Sequence, residues 1–278
     1  MATASTQVSA LEQVLSRARS ENRAALIGYI PAGFPTMQGC AEAIDILIDA
    51  GFDAIEIGYP YSDPVMDGPI IQEAADRALQ NGVKAKDVLA TLSHASSRGA
   101  AAVVMTYWNP IEQFGADKFA RAVADAGGSG VITPDLSFEQ AHPWKESASK
   151  AGINTVFVVA PSTTDERLQK VTSITSGFVY AASLMGVTGT RTAISNSAQE
   201  LVTRIRQVTD LPVAVGLGVS TPEQAREVAQ YADGVIIGSA LIKELLSVNP
   251  SDQSGSTVAM EKLRTLAQSL VTAVRGAR

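Results

Sequence analysis

Cysteine occurs once in the 278 residues, at Cys40. That excludes an internal disulfide and any thiolate cluster for a metal. Cys40 stands at helical spacing with Ile44 and Leu47, so packing is its expected role. Histidine occurs only twice, and neither His94 nor His142 has a cysteine or a second histidine at ligand spacing. Both are expected at the surface, and no metal site is expected. Basic charge is in deficit. A net charge of -6 and a pI near 5.0 argue against nucleic acid or an anionic membrane as the main partner and favour a small metabolite. Long apolar runs are missing too: Ala100 to Met105 and Val156 to Ala160 are too short to span a bilayer. Residues Met1 to Ser9 lack the basic and apolar regions of a signal peptide, so a soluble, cytoplasmic chain is expected. No Pro/Ser-rich linker or charge run divides the chain, and residues 1–278 are read as one domain with ample apolar content for a large core.

What the chain does have is alternation. β-rich runs over Ala24 to Ile30, Ala54 to Gly58, Ala101 to Tyr107, Gly130 to Pro134, Thr155 to Ala160, Phe178 to Ser183, Pro212 to Gly216 and Gly234 to Gly238 are each followed by helical patterning. The helices expected between and after them cover Met37 to Ala50, Ile70 to Leu79, Lys86 to Ser97, Ala116 to Ala126, Phe138 to Lys150, Thr164 to Thr172, Asn196 to Val208, Pro222 to Tyr231 and Val258 to Val274. Runs such as Val156 to Val159 are apolar at every position, as in parallel strands covered on both faces. Eight such units predict a (β/α)8 TIM barrel, with an extra N-terminal helix near Ala10 to Ser20. An open doubly wound sheet would call for a nucleotide fingerprint. No Gly-x-Gly-x-x-Gly follows the first strand and no Gly-Lys-Ser/Thr occurs. The polar stretch Asn249 to Thr257 is read as a loop before the last helix.

In a barrel of this kind the active site lies at the C-terminal ends of the strands. Glu56 interrupts the second strand shortly before a loop that carries Asp67. If Ile55 and Ile57 face one side, Glu56 faces the other with Ala54 and Gly58. A buried carboxylate without a partner has a raised pKa, which suits a group that both gives and takes a proton near neutrality. A core ion pair with an Arg or Lys is the plainer alternative. Gly186 to Thr190, Gly216 to Thr221 and Gly238 to Ala240 put glycines at three late strand ends. Together they read as a phosphate pocket, with Ser239 opening a helix; singly they would only supply backbone freedom. Tyr29, Tyr107, Trp108 and Tyr180 stand at or near strand ends and offer an apolar slot for a ring. With neither histidine at a strand end, the chemistry falls to carboxylates.

These residues resemble the tryptophan synthase alpha chain family over nearly the whole length. The stretches that carry the resemblance are Gly28 to Pro35, Glu56-Ile57-Gly58-Tyr59-Pro60-Tyr61-Ser62-Asp63-Pro64 with Asp67-Gly68-Pro69, Met105 to Pro110, Gly186-Val187-Thr188-Gly189, and Gly216 to Ser220. The resemblance implies a TIM-barrel lyase that cleaves indole-3-glycerol phosphate to indole and glyceraldehyde 3-phosphate for tryptophan biosynthesis. It implies no metal or organic cofactor in this chain, and an alpha2-beta2 tetramer in which a pyridoxal-phosphate beta chain receives the indole. Glu56 falls on the family's catalytic acid/base and Asp67 on its second carboxylate. Tyr29, Tyr107 and Tyr180 fall near the indole, Gly189, Gly218, Gly238 and Ser239 on the phosphate pocket, and Thr188 on the loop-six threonine that orders the Asp67 loop. Tyr29 and Tyr61 stand where other members have phenylalanine, Phe34 where some have aspartate and Leu184 where some have arginine.

Three rival readings remain. A related phosphate-binding isomerase or synthase would need a catalytic Lys or His at a strand end, and none is found. A non-catalytic scaffold barrel has no use for both Glu56 and Asp67. A free-standing indole-releasing lyase stays open.

Overall fold

A computed structural model describes residues 8–182, 191–216, 218–248 and 253–278 of the protein. Eight parallel strands close into a barrel in chain order: β1 (Ala25–Pro31), β2 (Ala54–Gly58), β3 (Ala101–Met105), β4 (Gly130–Thr133), β5 (Asn154–Val159), β6 (Val179–Ala182), β7 (Val213–Gly216) and β8 (Gly234–Ile237). β8 pairs back onto β1, with Gly28 opposite Ile237. The expected TIM barrel and its strand order are therefore present.

Strand parity sorts the core into two layers. Ile55, Ile57, Val104, Val131, Phe157, Val215 and Val235 pack outward under the helices, while Ile27, Ala54, Val103, Ile132, Val156, Ala214 and Ile236 fill the barrel. Each such aliphatic side chain contributes about 1.5–3 kcal/mol when fully buried, so packing on both faces holds strands that carry no polar alternation. Small residues make room for large inner ones. The Tyr29 hydroxyl lies against Gly58 and the Tyr180 hydroxyl against Gly216, where any Cβ would collide with it.

The N-terminal helix α1 (Ala10–Ser20) closes the bottom of the barrel. Ser9 and Glu12 form a reciprocal capping box at its start. Leu11, Leu15 and Ala18 join the inner cluster, and the Ser9 hydroxyl reaches Asn154 at the foot of β5 at 2.6 Å. Nearby, Arg23 clamps Asp53 through two 2.8 Å bonds, while the same carboxylate accepts from Leu26 N–H at 2.9 Å. The starts of β1 and β2 are locked together by that pair.

The outer layer comprises α2 (Met37–Ala50), α3 (Pro69–Gln80), α4 (Ala85–Ser97), α5 (Trp108–Phe114), α6 (Ala116–Asp125), α7 (His142–Ala151), α8 (Asp165–Ile174), α9 (Arg191–Arg206), α10 (Pro222–Ala229), α11 (Ser239–Leu245) and α12 (Gln253–Arg275). Side chains of Thr36, Thr164 and Thr221 cap α2, α8 and α10.

Five features differ from the sequence reading, the first being α9, which begins at Arg191 and not near Asn196. α12 begins at Gln253, so residues 253–257 extend the last helix instead of belonging to a loop; residues 249–252 lie outside the described set. Once a helix anchored by buried Ala259 and Met260 exists, each added residue needs only propagation, which Ser and Gly tolerate at modest cost. α7 starts at His142 and not near Phe138, because Pro143 lacks an N–H and fits only a first turn. α5 was not expected. Its Trp108 and Ile111 are one helical step apart and Pro110 sits in its first turn, a signal too short to stand out. His94 is half-buried, with Nε2 2.9 Å from Asp45, and Arg98 bridges Asp45 and Asp49, so it ties α4 to α2. His142 is exposed and Cys40 is fully buried, as expected. Among the described residues no helix is long and apolar enough to cross a membrane, and no His/Cys/Asp/Glu cluster has the makings of a metal site.

Candidate active site

The inner face of β2 carries Glu56 into the barrel, between Ala54 below and Gly58 above. The side chain is 1% exposed, and its Oε2 has no hydrogen-bond partner among the described residues. No Arg or Lys pairs with it there, so the core ion pair is not the arrangement present. Burial, reinforced by the negative charge of Asp67, pushes the carboxyl up to about 8. At neutral pH Glu56 is held mainly in its acid form.

Asp67 arrives from the loop between β2 and α3. Gly68 is the N-cap of α3 and Pro69 its first residue, which aims the loop back over the barrel mouth. Tyr107, at the end of β3, fixes this loop. Its hydroxyl accepts from Met66 N–H at 3.1 Å and hydrogen-bonds the Asp67 carboxyl. The Tyr61 ring stacks beside Tyr107 at 5.2 Å, and Asn109 Nδ2 donates to the Tyr61 hydroxyl at 3.3 Å. Burial raises the Asp67 carboxyl, and the Tyr107 hydrogen bond opposes that rise. The two acids therefore face one space in different surroundings. Such a split between environments is how carboxylates acquire separate acid and base roles.

That space is a cleft of about 580 Å³, a volume that includes solvent at its open mouth. Its walls divide by chemistry. Met66, Ile71, Met105, Pro134, Val158 and Ile236 are apolar, Tyr29 and Tyr180 present rings, Glu56 and Asp67 are its acids, and Gly218, Val219, Gly238 and Ser239 form the side beyond β7 and β8. Gly218 has φ +83°, a left-handed conformation natural to glycine. Ser239 opens α11, whose first N–H groups lack intrahelical partners. Backbone of this kind receives an anion without a basic side chain.

The expected residues separate as follows. Glu56, Asp67, Tyr29, Tyr180, Gly218, Gly238 and Ser239 converge on the cleft. Tyr107 is not among the lining residues and acts on the loop that carries Asp67. Thr188, Gly189 and Leu184 lie outside the described residues. The apolar walls carry no distinctive sequence signal, although Met105, Val158 and Ile236 share inward parity with Glu56 at the tops of their strands.

A profile of the tryptophan synthase alpha chain family matches residues 15–275. The tryptophan synthase alpha chain of Streptomyces coelicolor is 52% identical over 270 residues, covering 97% of this chain and 98% of the relative. A structure of Mycobacterium tuberculosis tryptophan synthase superposes with a TM-score of 0.87 at 47% identity, covering 97% of this chain and 99% of that one. The tryptophan synthase subunit alpha of Legionella pneumophila gives a TM-score of 0.84 at 29% identity, covering 96% and 98%. Sequence, barrel and cleft agree: the chain belongs to the tryptophan synthase alpha chain family.

Proposed function

We propose that Glu56 and Asp67 carry the retro-aldol cleavage of indole-3-glycerol phosphate to indole and glyceraldehyde 3-phosphate in this cleft. One observation carries the assignment: a buried carboxyl, whose Oε2 has no partner among the described residues and whose burial favours the acid form, shares a single cavity with a second carboxyl. Glu56 gives its proton to indole C3, and the positive charge this creates spreads to the ring nitrogen. Ionised Asp67 accepts the hydrogen bond of that N–H and stabilises the charge. The Glu56 carboxylate then takes the proton of the hydroxyl on the adjoining carbon. As the carbonyl forms, the electrons of the carbon–carbon bond return to the ring, releasing indole and leaving Glu56 protonated for the next turnover.

The phosphate end rests on Gly218, Gly238 and Ser239; the family resemblance assigns Gly189 to the same pocket and Thr188 to ordering the Asp67 loop, and both lie outside the described residues. Binding energy from this remote group orients the reacting bond. Tyr29 and Tyr180 wall the ring. Tyr107 holds the Asp67 loop against it.

The same reading makes residues 1–278 one catalytic domain of a cytoplasmic alpha2-beta2 assembly, whose beta chain holds pyridoxal phosphate and consumes the indole. Asp67 hangs on a loop fixed by few bonds, and such loops close when a partner or ligand makes differential contacts. The isolated chain is therefore expected to release indole slowly. Adding a saturating beta chain is expected to raise the rate severalfold or more, and Thr188→Val to blunt that rise more than it weakens phosphate binding. An indole-release assay with and without the beta chain tests this. Equal rates would point to a free-standing lyase, and no indole from either would sink the reaction itself.

A further inference from the structure

Tyr29 has a polar group that the packing of its ring does not explain. Its side chain is largely buried, at 5% exposed, and lines the cleft that a ligand would enter. Its ring spans the cleft wall from β8 to β2: the Cβ and Cδ1 side borders Gly238, while the hydroxyl lies over Gly58. In register, Tyr29 is the β1 partner of Glu56. The side chain thus runs from the phosphate side to the carboxylate side, alongside the space where a chain joining a phosphate to a ring must pass. Tyr180 has the other orientation, with its hydroxyl against Gly216 at the β7 end. A phenylalanine would wall the cleft equally well, so the hydroxyl is the part of the side chain that packing does not require. A hydroxyl on a cleft wall, between Gly238 and Gly58, is placed to hydrogen-bond a ligand that enters.

We propose that the Tyr29 hydroxyl donates a hydrogen bond to a hydroxyl of the three-carbon chain of the substrate, making Tyr29 a selectivity residue for a hydroxylated linker. This rests on the cleft binding indole-3-glycerol phosphate. The ring would wall the pocket in any case; the phenol oxygen reads the linker and orients the carbon whose bond to the ring breaks.

Calorimetry with Tyr29→Phe tests it in a Glu56→Gln background, where the substrate is not consumed. Two ligands are compared: indole-3-glycerol phosphate, and indole-3-propanol phosphate, which keeps the ring, chain length and phosphate but has neither linker hydroxyl. The expected result is a threefold to tenfold loss of affinity for the first, about the worth of one hydrogen bond, and a change below about twofold for the second. Thermal unfolding is expected to change little, since only one oxygen on the cleft wall is removed. Equal losses for both ligands would mean that the residue only shapes the wall, and no loss for either would mean that its hydroxyl is unused; each overturns the proposal. A shift of the pH dependence of turnover in Tyr29→Phe alone, with both affinities intact, would assign the hydroxyl to the carboxylates and also overturn it. Failure of the Glu56→Gln parent to bind either ligand would remove the substrate assignment itself, and this proposal with it.

Discussion

Glu56→Gln is expected to lower indole release by at least about a hundredfold while leaving substrate affinity little changed, because the amide keeps the shape of the side chain but transfers no proton. The same exchange is expected to stabilise the fold. The carboxyl titrates near 4.5 when unfolded and at about 8 in the folded protein. Between those values the folded state keeps a proton that the unfolded state releases, so stability falls as pH rises through the window and levels off above about 8. At roughly 1.4 kcal/mol per unit, the penalty at pH 7 is about 3 kcal/mol, and an amide carries none of it. Urea unfolding should therefore find the Gln variant more stable at pH 8 and no more stable at pH 4. Normal turnover in the purified variant removes Glu56 from the mechanism, and lower stability at pH 8 contradicts the burial argument. Lost rate with gained stability is the mark of a residue kept for chemistry.

Gly218→Asp is expected to abolish binding of phosphate ligands, with at least about a hundredfold loss for both the substrate and glyceraldehyde 3-phosphate. The substitution sets a negative charge where a dianion rests on backbone N–H groups. It also puts a side chain on a backbone with φ +83°, which an L-residue adopts at some cost. Gly218→Asn separates the two effects, since asparagine has nearly the same shape and tolerates positive φ but has no charge. Most of the loss is expected with Asp and a smaller loss with Asn, with circular dichroism unchanged in both. Unchanged affinity for either ligand in the Asp variant would falsify the phosphate assignment.

Much of this was legible in the chain because a parallel barrel writes itself plainly. Strands such as Ala54 to Gly58 are bounded by turns and covered on both faces, and the inward parity of Glu56 follows from a period of two. The glycines after β7 and β8 announce close backbone approach to a ligand. Other features depend on tertiary contacts that no local window contains. The role of Tyr107 on the Asp67 loop depends on β3 standing beside β2, with Gly58 opposite Met105. The apolar walls Met105, Val158 and Ile236 look like any inner core residue until the barrel closes. The early start of α12 likewise depends on a helix already anchored by buried Ala259 and Met260, onto which its Ser and Gly residues propagate despite their low helix propensity.

The dependence of kcat/KM on pH reports the ionisations of the free enzyme. Catalysis begins with Glu56 protonated and Asp67 ionised, so the rate is expected to fall tenfold per unit above about pH 8, where Glu56 loses its proton. Burial raises the Tyr29 and Tyr180 hydroxyls well above 10, and that of Tyr107 to about 12, so none of them imitates this limb. The residual rate of Glu56→Gln should show no limb near pH 8. A wild-type kcat/KM that stays flat or climbs from pH 7 to pH 10 would contradict Glu56 as the buried proton donor.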